Sequence, residues 1–428
     1  MHRTTAFILV LALSLFGSTF LAAQNTASNS SQPRARDLGI PFDGTPGLLN
    51  AITDVPGVEV GYKTLISGEG RLVVGRGPVR TGVTAILPRG KASMKSVFAG
   101  YFAGNGNGDM TGTHWIEESG VLETPILITN TGSVGVVRDA AVAWMVKRKQ
   151  PGAFWYPVTA ETADWPLNDI RGQHVTAQDA WDALDSASGG AILEGNVGGG
   201  TGMVCNGFKG GTGTSSRKLG AEAGGYTVGV LVQCNYGYSN GLLVAGIPVA
   251  REMKLQKRCV EKKLDPPITN WNGTPAPVCE PNVTSTADGI RPPEMGSIIV
   301  IVATDAPLTP DQLKRLARRV SVGLGRLGAI EGDSSGDIFL AFSTANIGAD
   351  EGNSTAVFTQ PNAKVERMQS WKLNPIFAAV IEATDESVIN ALIAAKTMVG
   401  ADYWVVPAIP HDQLQEVLRK HGMLKQTQ

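Results

Sequence analysis

Residues 296–305 read GSIIVIVATD, and this stretch decides the fold of the chain. Its apolar residues fill both alternations, which predicts a strand covered on both faces at the centre of a sheet. A glycine and a serine in front of such a strand most often form a turn. If the backbone were cut between Gly296 and Ser297, however, Ser297 would begin a new chain. It would then carry a nucleophilic hydroxyl together with an amine that can act as its base.

Helices and further strands surround this stretch. Helical spacing predicts helices at Val134–Lys147, at Ala177–Ser188 behind the cap Thr176, from Thr309 with Leu313, Leu316, Val320 and Leu324 on one face, at Asn374–Thr397 and from Pro410. Strands are predicted at Val58–Val60, Tyr226–Gln233, Leu242–Val249 and Asp337–Phe342. Sheets that carry long helices imply a layered α/β body, most economically two sheets between two helical layers.

The composition is that of an ordinary globular protein. The chain has 428 residues, 43% of them hydrophobic, and a formal net charge of −1. Lysine and arginine nearly balance aspartate and glutamate and form no basic run, so electrostatics give no support for a nucleic-acid partner. Small molecules or further copies of the chain are the expected partners.

The N-terminus has the pattern of a secretory signal. A weakly basic start is followed by the apolar stretch Ala6–Phe16 and by the small residues Ala22 and Ala23, which predicts a signal peptide over residues 1–23 and export to a periplasm or the exterior. Residues 24–36 are polar and predict a flexible leader. No later segment is apolar for long enough to predict a membrane span.

Four cysteines and five histidines are spread along the chain without the spacing of a metal site, so neither a metal nor another cofactor is expected. Residues 251–294 are first charged and then rich in proline, asparagine and threonine, which predicts an inserted surface loop. Cys259 and Cys279 bracket most of its proline-rich part and could form a disulfide in an exported protein. The alternative is a pair of unpaired thiols.

Six segments carry a specific resemblance. They are residues 36–62 (RDLGIPFDGTPGLLNAITDVPGVEVGY), 104–120 (GNGNGDMTGTHWIEESG), 196–217 (NVGGGTGMVCNGFKGGTGTSSR), 233–237 (QCNYG), 296–308 (GSIIVIVATDAPL) and 335–346 (SGDIFLAFSTAN). Together they resemble the DmpA family of L-aminopeptidase/D-esterases and β-peptidyl aminopeptidases. The likeness extends from Arg36 to the C-terminal helix.

The resemblance implies a fold and a maturation step. Family members are precursors that cut themselves before a serine, and the two products stay together in an αββα fold. That fold is similar to the N-terminal-nucleophile hydrolases but differs from them in connectivity. Here the scissile bond would be Gly296–Ser297, within a single catalytic domain over residues 37–428. The products would be an α chain, 24–296, and a β chain, 297–428, which family members assemble into tetramers of αβ units.

The resemblance also implies site residues. Ser335 and Asp337 match a serine and an acid that support the nucleophile, although the acid is a glutamate in the family pattern. On sequence alone this stretch reads as a turn before a strand. The neighbouring Ser334 could be mistaken for a nucleophile. Asn235 matches an asparagine that donates to the tetrahedral oxyanion, and its alternative interpretation is a strand-ending turn.

An aminopeptidase must bind a free amine, for which a carboxylate is the natural partner. Glu161 is predicted to bind the free amine of small peptide or amide substrates, and Glu117 and Glu118 are the competing candidates. Each of these could instead be a solvated or structural charge.

The glycine-rich run Asn196–Gly213 lacks the spacing of a phosphate loop and predicts backbone packed close to the active site. Two other functions stay open at this point. One is acetyl transfer of the ornithine acetyltransferase type, which favours a threonine nucleophile, and the other is a non-catalytic exported binding protein.

Overall fold

Strands and helices are interspersed along the chain. The computed structural model describes residues 32–93, 95–152, 154–256, 258–270, 273–280, 295–347 and 362–424. The strands are β1 (Glu59–Ser67), β2 (Val79–Leu87), β3 (Val97–Ala103), β4 (Val121–Leu122), β5 (Ile126–Asn130), β6 (Val158–Thr162), β7 (Val204–Cys205), β8 (Phe208–Lys209), β9 (Gly211–Lys218), β10 (Thr227–Asn235), β11 (Cys259–Val260), β12 (Met295–Thr304), β13 (Ser334–Ser343), β14 (Met398–Val399) and β15 (Trp404–Val406). The α-helices are α1 (Thr113–Ser119), α2 (Val134–Lys147), α3 (Ala177–Ser186), α4 (Pro310–Ala317), α5 (Val320–Arg326), α6 (Asn374–Ala394) and α7 (His411–Lys420).

The two larger sheets face each other across an apolar core. One has four strands in the order β1-β2-β5-β6, and the other has six in the order β4-β3-β13-β12-β10-β9. Buried side chains from both sheets meet between them, among them Ile86, Ile128, Ala160, Leu231, Ile299 and Leu340. Helices α2 and α3 pack on the outer face of the four-stranded sheet, and α4, α5 and α6 pack on that of the six-stranded sheet. The predicted four-layer αββα sandwich is confirmed.

Strand β12 lies at the centre of the six-stranded sheet, as its sequence predicts. It runs parallel to β13 and antiparallel to β10. Its residues from Ile298 to Ala303 are completely buried, because one alternation packs between the sheets and the other packs against the helices. Each isoleucine and valine side chain of this stretch contributes roughly 1.5–3 kcal/mol by leaving water. Two strands from late in the chain, β12 and β13, thus lie between the earlier strands β3 and β10.

The predicted helices form, with changes at their ends. Helix α2 has the predicted bounds, and α3 begins behind Thr176, whose side chain accepts a hydrogen bond from the Asp179 N–H. The helix predicted from Thr309 is divided into α4 and α5, because a tight turn joins the Arg319 N–H to the Leu316 carbonyl. Helix α6 ends at Ala394, before the predicted end. In the described part of the chain, no helix is long and apolar enough to cross a membrane.

The strand predicted at Leu242–Val249 is wrong. Ala245 and Gly246 have positive φ angles of 51° and 78°, and the Ile247 N–H bonds the Val244 carbonyl at 2.9 Å, which closes a tight turn in the middle of the segment. The apolar residues there are buried all the same, Val244 being 1% exposed. Apolar content alone does not distinguish a buried loop from a buried strand.

The described parts of the region 251–294 are tied to the rest of the protein. Strand β11 pairs with β15, and Cys259 forms a disulfide with Cys279 across a Cα–Cα distance of 5.0 Å. The predicted disulfide is therefore confirmed. A second disulfide, Cys205–Cys234, joins β7 to β10 and was not predicted.

The residues before Asp37 differ from a free leader. The signal peptide predicted over 1–23 and most of the leader lie outside the described residues, but Ala35 is completely buried. Arg34 pairs with Glu194 at 2.7 Å, and Arg36 pairs with the buried Glu386 at 2.8 Å. These ion pairs hold the end of the predicted leader, and the compact unit begins at Pro33.

Candidate active site

Three neighbouring strands bring the predicted nucleophile and its neighbours into one row. Ser297 of β12 lies opposite Asn235 of β10 in an antiparallel pair and beside Gly336 of β13 in a parallel pair. The Gly336 N–H donates a hydrogen bond to the Ser297 Oγ at 3.0 Å. Ser297 is only 7% exposed, so its hydroxyl is held by backbone and largely shielded from water.

Gly296 occupies a position that only glycine fits. Its φ angle is 106°, in the region that disfavours other residues. A Cβ atom at this position would lie 2.0 Å from the backbone oxygen of Asn235. The predicted scissile bond therefore lies directly against β10, and the residue before Ser297 cannot carry a side chain.

Ser335 and Asp337 form a buried pair on β13. The Ser335 hydroxyl donates to the Asp337 Oδ1 at 2.6 Å, and both residues are completely buried. The aspartate therefore contacts the serine directly, although it is shorter than the glutamate of the family pattern. Ser334, which could be mistaken for a nucleophile, is exposed.

The two serines face opposite sides of the sheet. Alternation along the strands places Ser335 and Asp337 on the face of Phe339, which packs under the helices. Ser297 shares the face of Ile299, which packs between the sheets. The Ser335 side chain therefore lies on the opposite face of the sheet from the Ser297 hydroxyl.

Asn105 is a site residue that the sequence reasoning missed. Its Oδ1 accepts the Asp337 N–H at 2.8 Å, and its Nδ2 donates to the Asp337 Oδ2 at 3.2 Å and to the Gly332 carbonyl at 3.0 Å. It follows β3, which pairs with β13. The signal was present in the segment GNGNGD, where an asparagine follows directly on a strand and a glycine.

The Asn235 carboxamide is fixed by two backbone groups. Its Oδ1 accepts the Val204 N–H at 2.8 Å, and its Nδ2 donates to the Ala163 carbonyl at 2.9 Å. A carboxamide nitrogen has two hydrogens, so a second one can serve another acceptor. Residues directly opposite each other in an antiparallel pair share a face, and the Asn235 amide therefore lies on the same face as the Ser297 hydroxyl.

Glu161 of β6 is a buried carboxylate near this row. It is 4% exposed, accepts the Asp109 N–H at 2.9 Å and accepts a short hydrogen bond from the Thr131 hydroxyl. Burial raises the pKa of Glu161, and these hydrogen bonds oppose the rise. A Cβ on Gly108 would lie 3.1 Å from the Gly336 Cα and 3.3 Å from the Glu161 Oε1. Gly108 thus lies against both Glu161 and Gly336, the residue of β13 that pairs with Ser297.

The competing carboxylates lie on the surface. Glu117 and Glu118 are both exposed on α1. Glu117 forms an ion pair with Lys314 of α4. Neither has the enclosed environment of Glu161, so the geometry favours Glu161 among the three.

The glycine-rich run packs tightly, as predicted. Residues Gly198–Gly202 form a buried 3-10 helix. A Cβ on Gly199 would lie 2.2 Å from the Gln233 side chain, and one on Gly200 would lie 2.4 Å from the Thr212 nitrogen. The end of the run reaches the site itself, because Val204 donates to Asn235. In the described ranges, no group of three or more histidine, cysteine, aspartate or glutamate side chains could hold a metal ion.

Comparisons with known proteins show the family of the chain. The model of Peptidase family S58 matches residues 50–406. The chain is 51% identical over 400 residues to the β-peptidyl aminopeptidase BapA of Sphingosinicella microcystinivorans, a match that covers 93% of this chain and 95% of that protein.

Two solved structures are similar over nearly the whole chain. The L-aminopeptidase D-Ala-esterase/amidase of Ochrobactrum anthropi, described as a variant of the Ntn hydrolase fold, is 44% identical, with a TM-score of 0.78 and coverage of 92% of this chain and 100% of that one. A β-aminopeptidase of Burkholderia sp. is 44% identical, with a TM-score of 0.76 and coverage of 91% and 99%. The chain therefore belongs to peptidase family S58, the DmpA family, and is a hydrolase of the serine aminopeptidase type with an Ntn-hydrolase-like αββα fold.

Proposed function

We propose that the protein is an exported, self-processing aminopeptidase that removes N-terminal residues from small peptides, amides or esters through an acyl-enzyme on Ser297. The observation that carries the proposal is the strand register that aligns Asn235, Ser297 and Gly336. Together with the close approach of Gly296 to β10, this register supports Ser297 as the nucleophile, Asn235 as the oxyanion donor and Gly296–Ser297 as the scissile bond.

Self-cleavage begins with an N-to-O acyl shift. The Ser297 Oγ attacks the Gly296 carbonyl carbon, the C–N bond breaks, and the nitrogen of Ser297 takes up the proton to become an amine. Water then hydrolyses the resulting ester. This leaves a carboxylate on Gly296 and a free N-terminal Ser297, with its hydroxyl restored.

Turnover uses the amine made in that step. An N-terminal amine titrates near neutral pH and can take the proton from its own hydroxyl. The Oγ attacks the substrate carbonyl, the second N–H of Asn235 donates to the oxyanion, and the proton passes to the leaving amine. Water attacks the acyl-enzyme to release the new acid. Ser335, held by Asp337, keeps the Ser297 amine in position.

Glu161 is the proposed partner of the substrate's protonated amine. Its burial supports this role, as does its position against Gly108, which in turn lies against Gly336. The relatives are named β-peptidyl aminopeptidase and L-aminopeptidase D-Ala-esterase/amidase. We propose the same substrate class here: residues with a free amine, including β-amino acids and D-amino acids.

The proposal includes the life history of the chain. A signal peptide over residues 1–23 is removed on export to a periplasm or the exterior. The mature enzyme is a tetramer of units made of an α chain, 24–296, and a β chain, 297–428. Two disulfides support an oxidising compartment.

Mass measurement of the purified, denatured protein tests the proposal. We expect two chains, and N-terminal sequencing of the smaller one should begin at Ser297. Ser297→Ala should give one uncut chain without amidase activity. The matched control is Ser334→Ala, which changes an exposed hydroxyl and should leave processing intact. A smaller chain beginning at Ser335, or wild-type protein that stays uncut and inactive, would overturn the proposal.

A further inference from the structure

Lys209 is a buried cation that the proposed mechanism does not use. It is completely buried, and its Nζ donates to the carbonyls of Met203 and Gly210, each at 2.9 Å, and of Gly200 at 3.4 Å. An ammonium group has three N–H donors, and each has a main-chain acceptor here. The lysine therefore gathers three carbonyls of the glycine-rich run around one charge.

One of these carbonyls belongs to the peptide that holds Asn235. The Met203 C=O and the Val204 N–H are the two ends of a single peptide group. The C=O accepts from Lys209, and the N–H donates to the Asn235 Oδ1 at 2.8 Å. Lys209 and the Asn235 carboxamide are thus joined through one planar unit.

A cation on this peptide has a defined electronic effect. Hydrogen bonds in a chain polarise one another, and a positive charge at the carbonyl makes the N–H of the same peptide a stronger donor. A stronger bond to the Asn235 Oδ1 in turn draws electron density from its nitrogen. The remaining N–H of that nitrogen becomes a better donor to an oxyanion.

The local backbone keeps this unit in place. Val204 pairs with Lys209 in the short β7–β8 ladder. The next residue, Cys205, is joined by a disulfide to Cys234, which directly precedes Asn235. The ladder therefore ties this peptide to Lys209, and the disulfide ties the following residue to the end of the strand that carries Asn235.

We propose that Lys209 is a positioning residue for the acyl-transfer reaction, which orients and polarises the Asn235 carboxamide through the Met203–Val204 peptide. The inference rests on the proposed function, because it requires Asn235 to bind the oxyanion.

The charge of Lys209 depends on pH near neutrality, and the lysine is mostly protonated only below its pKa. Burial lowers the pKa of Lys209 to about 7, while the negative charge of Asp164 acts in the opposite direction. Burial also raises the pKa of Asp164 to about 6. Its Oδ2 accepts from Asn130 and Asn168, both at 3.0 Å. All comparisons of variants therefore belong at one pH, at or slightly below 7.

A double-mutant cycle tests the proposal. Each variant is made as the full-length precursor and allowed to mature. The kcat and KM of the mature enzyme are then measured for Lys209→Met, Asn235→Ala and the double variant. Lys209→Met should lower kcat by about tenfold with little change in KM, because an oxyanion donor acts in the transition state. In the Asn235→Ala background the same substitution should change kcat by less than about twofold.

A matched control separates positioning from stability. Arg80 is another buried cation that binds main-chain carbonyls, those of Val399, Ser67, Val79 and Gly68, none of which holds Asn235. Arg80→Met should lower the Tm, as Lys209→Met does, but leave kcat nearly unchanged. Lys209→Arg keeps the charge in a tight site, so its kcat should exceed that of Lys209→Met even where its Tm is lower.

The outcomes are distinguishable. If Lys209→Met lowers kcat equally in both Asn235 backgrounds, or if kcat follows the Tm through Lys209→Met, Lys209→Arg and Arg80→Met, the inference is wrong while the proposed function stands. If Asn235→Ala itself leaves kcat unchanged, the oxyanion role of Asn235 fails first. If Asn235→Ala blocks maturation, the kcat values of the Lys209 and Arg80 variants, compared with their Tm values, decide whether the inference holds.

Discussion

The two larger sheets hold their parts of the candidate site by different means. In the six-stranded sheet, strand pairing alone aligns Asn235, Ser297 and Gly336. In the four-stranded sheet, Glu161 meets that row through the loop after β3, whose Asp109 N–H binds its carboxylate. The first arrangement depends on backbone ladders, and the second depends on how a loop packs between two sheets.

Under the proposed function, this difference separates bond breaking from substrate recognition. A slip of one residue in register would turn every side chain to the other face. It would also bring a residue with a side chain to the position of Gly296, where a Cβ would lie 2.0 Å from the Asn235 oxygen. The groups proposed to break bonds are therefore placed with little freedom. Glu161 depends on side-chain and loop contacts, which can change among relatives without disturbing the ladders. We expect substitutions in the row to act on kcat and substitutions at Glu161 to act on discrimination between substrates.

The largest effect is expected at Asn235. Asn235→Ala should lower kcat by roughly 10²–10³ with the fold intact, because the donor acts mainly in the transition state. Steady-state kinetics on an amide substrate, with a thermal melt as control, measure this. A change confined to KM would break the comparison, since it would place a residue of the six-stranded sheet in recognition.

A smaller effect is expected at Glu161. Glu161→Gln should lower kcat/KM for a free-amine substrate by about a hundredfold, because a buried charge pair loses one member. N-acetylated amides should be very poor substrates of the wild type, and the variant should narrow this difference. Glu117→Gln, on the surface, is the matched control and should behave as the wild type. Equal turnover of capped and free substrates by the wild type would indicate a general amidase.

The pH dependence sharpens the same prediction. Burial raises the pKa of Glu161, so its carboxylate becomes protonated at a higher pH than an ordinary glutamate. As the pH falls through that raised value, the pair with the substrate amine is lost and KM should rise. Glu161→Gln should remove this acidic limb of the KM profile. An unchanged limb in the variant would assign it to another group.

A substitution at Asp337 should lower activity less than the substitution at Glu161. Asp337→Asn keeps the shape but weakens a charged hydrogen bond to Ser335, which corresponds to roughly a tenfold loss of kcat. Maturation should also slow in the variant, as followed by the rate at which the precursor disappears on a denaturing gel. Full activity in Asp337→Asn would show that the pair on the outer face of β13 serves only the fold.

The smallest effect on catalysis is expected for the Cys259–Cys279 disulfide. Replacing both cysteines by serine should reduce stability by about 3 kcal/mol and leave kcat within about twofold. The corresponding double replacement of Cys205 and Cys234 should lower kcat further, since that disulfide adjoins Asn235. Equal kcat values for the two variants would contradict the link between β7 and the oxyanion donor.

The sequence predicted the layers because these depend on local patterns, whereas the candidate site residues were predicted from the family resemblance. The bounds of α2 and the central position of β12 followed from apolar spacing. The strand at Leu242–Val249 failed because burial does not require a ladder where Gly246 allows a turn. Strand β2, completely buried but containing Arg80 and three threonine or glycine residues, gave no clear pattern.

The contacts that long-range folding creates were beyond the sequence. Asn105 acquires its role because β3 pairs with β13, which is more than two hundred residues away along the chain. The Cys205–Cys234 disulfide needs β7 to approach the end of β10. Lys209 looks like a surface residue by type, and only the fold shows that it is enclosed by carbonyls.

The interleaved strand order of the six-stranded sheet determines how the two fragments of a cleaved enzyme could separate. Under the proposed cleavage, β12 and β13 belong to one fragment, and the strands on both sides of them belong to the other. The fragments can separate only if two ladders open, so dissociation amounts to unfolding. Once apart, they must find each other again in solution, and recovery depends on their concentration. The precursor folds as one molecule. The cleaved enzyme, by contrast, persists because it unfolds slowly and not because its fragments refold readily.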